Sequence, residues 1–282
     1  MKSAINYIKK IYSYFDFKLG RILFKNDNNF LINFIGLIKL NKKIINFSQN
    51  ENSLNLIKDG FTKIDMFNEK DLKYFSDKIK DFAKNNSDKL RLDIEVDKTI
   101  IKKTNELLTK NKSLISSLNG YFKANFVIAE INIYRNKHFI KNENKELINE
   151  NFHCDHYKKT MVKLFINLDE VKSENGPLEI FTKENTKKMI KNGYIDRNNY
   201  GNSKKLIEET KNKYLNTGPI GNALLCATTE CLHRASIPHK NYHRDIMAVT
   251  LFKDFSKNFN PIKYETEINK TLAKKIGKLN FT

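Results

Sequence analysis

Cysteine is scarce in this 282-residue chain: Cys154, Cys226 and Cys231 are an odd number without regular spacing. That argues against a disulfide framework and fits a reducing compartment. Long apolar runs are also missing. The longest, Phe30 to Leu40, is interrupted by Asn33, Gly36 and Lys39 and is too short to span a bilayer. The N-terminus is basic and aromatic, yet it has neither a compact apolar core nor a small-residue cleavage site, so no secretory signal is visible. A cytoplasmic location is the expectation.

RNP, zinc-finger and helix-turn-helix patterns are absent as well. Their absence qualifies the formal charge of +19 and the pI near 9.6, which on their own invite a nucleic-acid reading. Lysine is accompanied throughout by asparagine and isoleucine, as expected of AT-rich coding DNA, so part of the charge is compositional. No nucleic-acid partner is expected; an acidic small molecule or an anionic membrane surface is the better use of the charge.

The length suits one large domain with an appendage. Residues 1–58 read as a basic helical appendage, with Ile5, Ile8, Ile11, Phe15, Leu19 and Ile22 at three- and four-residue steps. Two roles stay open for it: peripheral membrane contact through residues 1–25, or docking on the protein's own core. From Asp59 the texture changes. "DGFTKIDMF" reads as a turn and a strand, and "NEKDLKYFSDKIKDFAKN" as a helix capped by Asn68 with Leu72, Phe75, Ile79 and Phe82 inward. A second helical stretch is expected through Ile100 to Leu114. Strand-like segments follow: "ANFVIAEINIY", "MVKLFINLDEV", "PLEIF", "NALLCATTECLHRA" and "RDIMAVTLFK".

Short strands behind an N-terminal helical layer predict an α+β protein with a jelly-roll core, residues 59–282 forming the domain. Residues 182–217 are rich in lysine and asparagine and read as a polar insertion, of a length more typical of a lid or binding element.

The chemistry concentrates in "NFHCDHYKK", residues 151–159, in a chain with six histidines. In an extended backbone His153 and Asp155 point one way, and Cys154 and His156 the other. A third candidate ligand, His233, ends a strand, and Arg244 follows eleven residues later. Two histidines and one carboxylate on one face of an octahedron leave three positions open, as in non-haem Fe(II) oxygenases. Arg244 then suits the distal carboxylate of a bidentate keto-acid, because its planar fork matches a carboxylate and stays charged. On "AEINIY" the residues Glu130, Asn132 and Tyr134 share one face. It points either into a barrel, toward co-substrate or substrate, or to solvent.

The H-x-D at 153–155, "NGPLEIF" at 175–181, the "GPIGNALL" entry, His233 and Arg244, in this order, resemble the phytanoyl-CoA dioxygenase family of Fe(II)/2-oxoglutarate enzymes. The resemblance covers roughly 59–253. It implies a double-stranded β-helix (cupin-like) core, with His153, Asp155 and His233 as iron ligands and Arg244 as the 2-oxoglutarate clamp. It also places Phe165 on the strand lining the co-substrate pocket. Fe(II), 2-oxoglutarate and O2 are the implied cofactors, with hydroxylation of a small or lipid-like, acidic substrate and release of succinate and CO2. Retention of Asp155 favours oxidation over halogenation. The family's hydroxyl residue two places after the distal histidine is here Ala235, with Ser236 beside it, so Arg244 needs another helper.

Two other classes remain: a non-redox cupin-like metal protein (an isomerase or hydrolase) without need of Arg244, and a basic membrane- or nucleic-acid-binding protein with an inactive jelly-roll. His156, His239 and His243 are expected at the surface and the cysteines in packing roles. His138 has no nameable partner.

Overall fold

The computed structural model describes residues 49–86, 89–123, 126–141, 146–155, 161–197, 201–253 and 262–263. Helix α1 (Glu51–Lys58) leads into β1 (Phe61–Ile64) and α2 (Glu69–Lys84). Edge strand β2 (Arg91–Ile94) follows, then α3 (Lys98–Lys110) and α4 (Lys112–Phe122). The long β3 (Phe126–Lys137) and β4 (Met161–Asn167) lead to the short β5 (Leu178–Ile180), α5 (Lys183–Lys191), α6 (Asn202–Glu209) and β6 (Tyr214–Leu215). The chain continues through β7 (Ala223–Cys226), β8 (His233–Ala235), β9 (His243–Lys253) and β10 (Ile262–Lys263).

Two sheets face each other. The larger has the order β1-β7-β4-β9-β3-β10, with β2 paired to β3, and the smaller has the order β6-β5-β8. Every named pairing is antiparallel except β3 with β10. This is the expected jelly-roll with a helical layer, a double-stranded β-helix.

Strand alternation divides the large sheet's side chains between two cores. Ile131, Ile133, Leu164, Ile166, Leu225 and Val249 pack against Leu72, Phe75 and Ile79 of α2 and against Leu108, Leu114 and Leu118 of α3 and α4. The other face turns Tyr134, Phe165, Leu224, Ile246 and Ala248 toward Leu178 and Ile180 of the small sheet. Phe75 is fully buried, so Phe75→Ala should cost about 3–5 kcal/mol.

The helical expectation over 100–114 is corrected at Asn111. That residue ends α3 and then accepts from Leu114 N–H at 2.9 Å, capping α4. Asparagine competes for backbone groups, so it starts and stops helices rather than continuing them. The single strand read in "NALLCATTECLHRA" is also two: a turn closed by Glu230 and Cys231 N–H on the Ala227 carbonyl carries the chain from the large sheet to the small one.

The 182–217 segment is not uniformly polar surface. Met189 and Tyr194 join Phe152, Cys154, Phe181 and Leu232 in a separate buried cluster. Lys183 is 8% exposed, pairs with Glu230 and donates to the Ile57 carbonyl. Helix α1 inserts Leu56 into the main core; residues 1–48, including the amphipathic stripe for which membrane contact and core docking were both open, lie outside the described residues. Among the described residues, no helix is long and apolar enough to cross a membrane.

Candidate metal centre

His153 bridges to β8 along the edge of the small sheet. Its N–H donates to the His233 carbonyl at 3.0 Å, and His233 N–H returns the bond at 2.9 Å. Residues paired this way stand opposite each other with side chains on one face. The two rings accordingly lie 4.4 Å apart at 50°. Asp155 is held by its own N–H donating to the Thr228 carbonyl at 3.0 Å. Its Oδ1 then lies 3.8 Å from His153 Nε2 and 4.0 Å from His233 Nε2. One ligand atom from each residue falls within 4.8 Å of the others.

The two imidazoles are oriented alike. His153 Nδ1 meets the Asn151 carbonyl at 2.8 Å and His233 Nδ1 meets the Cys231 carbonyl at 3.0 Å. A carbonyl can only accept, so Nδ1 carries the proton and Nε2 keeps its lone pair toward Asp155, as metal-binding histidines require. Both side chains are nearly inaccessible. Burial, aided by His233 and Arg197, pushes His153 down to about 2, and burial also lowers His233, so both rings are neutral. Burial alone would raise the Asp155 carboxyl, but the Lys163 ammonium outweighs it and holds it below the ordinary carboxylate range. Two neutral nitrogens and an ionised oxygen form a donor set fitted to a divalent cation.

Arg244 is the second residue of β9 and is 2% exposed. Its Nη1 donates to the Gly176 carbonyl at 2.6 Å, its Nε has no partner, and no carboxylate pairs with it among the described residues. Gly176 stands in "NGPL", where an added Cβ would lie 2.5 Å from the Ser236 carbonyl oxygen. That close packing, at a φ of +68°, requires glycine. Directly across from Arg244 on β3 stands Asn136, fully buried with both side-chain amide atoms unpartnered. Buried polar groups are normally satisfied, and here the arginine Nε and the amide leave bonding capacity unused on neighbouring strands. Sequence reasoning missed Asn136. Its signal was parity, since it continues the face of Asn132 and Tyr134.

That face turns into the space between the sheets. Tyr134 is 8% exposed, with the Arg91 guanidinium 4.1 Å from its ring centre. Asn132 is half-buried, Glu130 lies at the exposed end, and Phe165 packs beside Tyr134. Ser236 is excluded as Arg244's helper because its hydroxyl donates to Glu179 at 2.6 Å; Ala235 is buried and has no donor.

The remaining candidates separate cleanly. Cys154, Cys226 and Cys231 are buried and form no disulfide with one another, and His239 is exposed. His138 has a partner after all, the Pro238 carbonyl at 2.8 Å. His243 is half-buried rather than free at the surface, 3.9 Å from Asp245, and forms a second cluster with Asp245 and Asp169. His156 lies outside the described residues.

Neither a family model nor a curated protein matches the sequence. Solved structures match the fold. The epimerase SnoN, in complex with Fe3+, alpha-ketoglutarate and a nogalamycin compound, is 8% identical with a TM-score of 0.50, over 75% of this chain and 92% of that one. EctD from S. alaskensis, with 2-oxoglutarate and 5-hydroxyectoine, is 9% identical with a TM-score of 0.51, over 76% and 81%. The carbocyclase SnoK is 9% identical with a TM-score of 0.50, over 81% and 92%. At these identities the likeness concerns the double-stranded β-helix fold alone.

Proposed function

We propose that the chain is an Fe(II)- and 2-oxoglutarate-dependent oxygenase, with His153, Asp155 and His233 as iron ligands and Arg244 as the co-substrate anchor. One observation carries the reading: a buried arginine with an unpartnered Nε and, among the described residues, no acidic partner faces the same interior as a His/Asp/His cluster. A buried guanidinium is costly without an anion, and a dianionic keto-acid supplies one. Bound iron with 2-oxoglutarate would supply the oxidising chemistry that activates O2. The protein's residues do the positioning. The Asn151 and Cys231 carbonyls fix the ligand tautomers, Arg244 and Asn136 hold the distal carboxylate, and Phe165 with Tyr134 excludes water from the space between. A non-redox cupin-like metal protein would leave Arg244 without purpose.

The reading extends to hydroxylation of a small or lipid-like substrate bearing an acidic group. Lys187, Lys188, Lys191, Lys204 and Lys205 are exposed on α5 and α6 and suit such a group, whereas the buried, paired Lys183 does not belong to that set. The fold neighbours named above include an epimerase and a carbocyclase, so the fold is compatible with several outcomes and the site must decide.

The test is anaerobic titration of the protein with Fe(II) and then 2-oxoglutarate, followed by visible spectroscopy. A weak metal-to-ligand charge-transfer band is expected. Arg244→Leu should bind Fe(II) normally and weaken 2-oxoglutarate by about 10–100-fold, the equivalent of a charge-assisted contact of about 1.5–3 kcal/mol. Protein that binds Fe(II) but develops no band with 2-oxoglutarate overturns the proposal.

A further inference from the structure

Lys163, in the middle of β4, reaches the candidate centre. It stands on β4 opposite Cys226 of β7 and Thr250 of β9, two residues from Phe165 and on the same interior face. Its side chain is 23% exposed, and Nζ lies 2.9 Å from Asp155 Oδ2. The contact is an ion pair between an ammonium and a carboxylate oxygen. Glu130 and Tyr134 are the other titratable groups that act on this ammonium.

The two oxygens of Asp155 are thus unlike. Oδ1 faces both imidazole Nε2 atoms at 3.8 and 4.0 Å, while Oδ2 has an ammonium against it. A free carboxylate can take a cation with both oxygens and then fills two coordination positions. An ammonium is a point charge and engages one oxygen at a time; a guanidinium fork engages two. The second cluster shows the latter case: Arg135 takes both oxygens of Asp245, each at 2.6 Å.

Resting on the ligand assignment proposed above, the geometry points to Lys163 as the positioning residue that makes Asp155 a one-oxygen ligand. It thereby keeps a third coordination position open at the metal. Lysine suits this place because it blocks one oxygen and leaves the other; leucine would block neither and arginine both.

The experiment uses Mn(II) alone, with water-proton relaxation to count exchangeable waters on the bound ion. Two histidines and one carboxylate oxygen leave three of six positions for water. In Lys163→Met the carboxylate closes on the ion, and the relaxation enhancement per bound Mn(II) should fall by about one third. Lys163→Arg should instead weaken Mn(II) by roughly tenfold or more, because the fork occupies the oxygen the ion needs. A merely structural lysine would change neither water count nor affinity in folded protein. Wild-type water count in folded Lys163→Met overturns the inference. Should that variant not fold, wild-type Mn(II) affinity in Lys163→Arg overturns it equally. If the wild-type protein binds no Mn(II), or His153→Ala leaves binding intact, the ligand assignment itself falls.

Discussion

Two clusters of imidazole and carboxylate lie among the described residues, and they differ in what is already bonded. In the first, His153, Asp155 and His233 present two bare Nε2 atoms and a carboxylate oxygen that faces them. In the second, Asp169, His243 and Asp245 are as close together, but Arg135 has both oxygens of Asp245 and Lys80 lies 3.4 Å from Asp169. Proximity of ligand types is therefore common to both, and unused bonding capacity is not. The same contrast separates Arg244 and Asn136, which hold unpartnered atoms, from Glu179, whose carboxylate accepts from Arg234 and Ser236 and pairs with Lys213.

The most severe way to break the comparison is to delete an imidazole from each cluster. His153→Ala or His233→Ala should lower Mn(II) or Co(II) affinity by roughly 100-fold or more, beyond the 10–100-fold typical of outer-shell changes. His243→Ala should leave it within about twofold. Isothermal titration of the metal-free proteins reads both, and equal losses would dissolve the distinction.

Deleting the carboxylates should reverse the ranking, with stability as the measure. Asp245 is 0% and Arg135 12% exposed, so Asp245→Asn strands a buried guanidinium and should cost about 3–5 kcal/mol. Asp155→Asn strands Lys163, which at 23% exposed can turn its ammonium toward water, and should cost about half of that or less in metal-free protein. Urea unfolding measures both, and a larger loss for Asp155→Asn would contradict the assignment of a structural pair and a functional one.

How much of this was legible before the structure follows from what each feature depends on. Strands β3, β4, β5, β7 and β9 announced themselves through apolar residues, a local signal, whereas β6 lay in the polar 182–217 segment and β8 was run together with β7. His153 and Asp155 sharing a side followed from the two-residue period of extended chain. The break at Asn111 and edge strand β2 were missed because a capping asparagine and a strand reading "RLDI" carry little apolar signal. Lys163 and Asn136 were missed for a different reason. Their inward direction was written in strand parity beside Phe165 and Tyr134, but a parity rule says only that a polar group is inside. That Lys163 meets Asp155 depends on how the 151–155 segment docks against β8, and that Asn136 faces Arg244 depends on the register of β3 with β9. The buried half of 182–217 was hidden because Met189 and Tyr194 are isolated among lysines and asparagines, and only their joining Phe152 and Phe181 makes a core.

The smallest expected effects come from two polar truncations near Arg244, and they should separate affinity from stability. Ser236 gives its hydroxyl to Glu179, so Ser236→Ala removes a bond to a charged group that keeps its other partners. It should cost about 1 kcal/mol of stability and leave 2-oxoglutarate affinity unchanged. Asn136 makes no side-chain hydrogen bond in the ligand-free protein, so Asn136→Ala has none to lose and should change stability by less than about 1 kcal/mol. Its donor is needed only when a carboxylate arrives, and 2-oxoglutarate should then bind about tenfold more weakly, a loss of about 1.4 kcal/mol. Unfolding curves and the charge-transfer titration, run on both variants, give four numbers. If Asn136→Ala costs stability and spares affinity, the unpartnered amide is a packing defect and not the helper that Ala235 fails to provide.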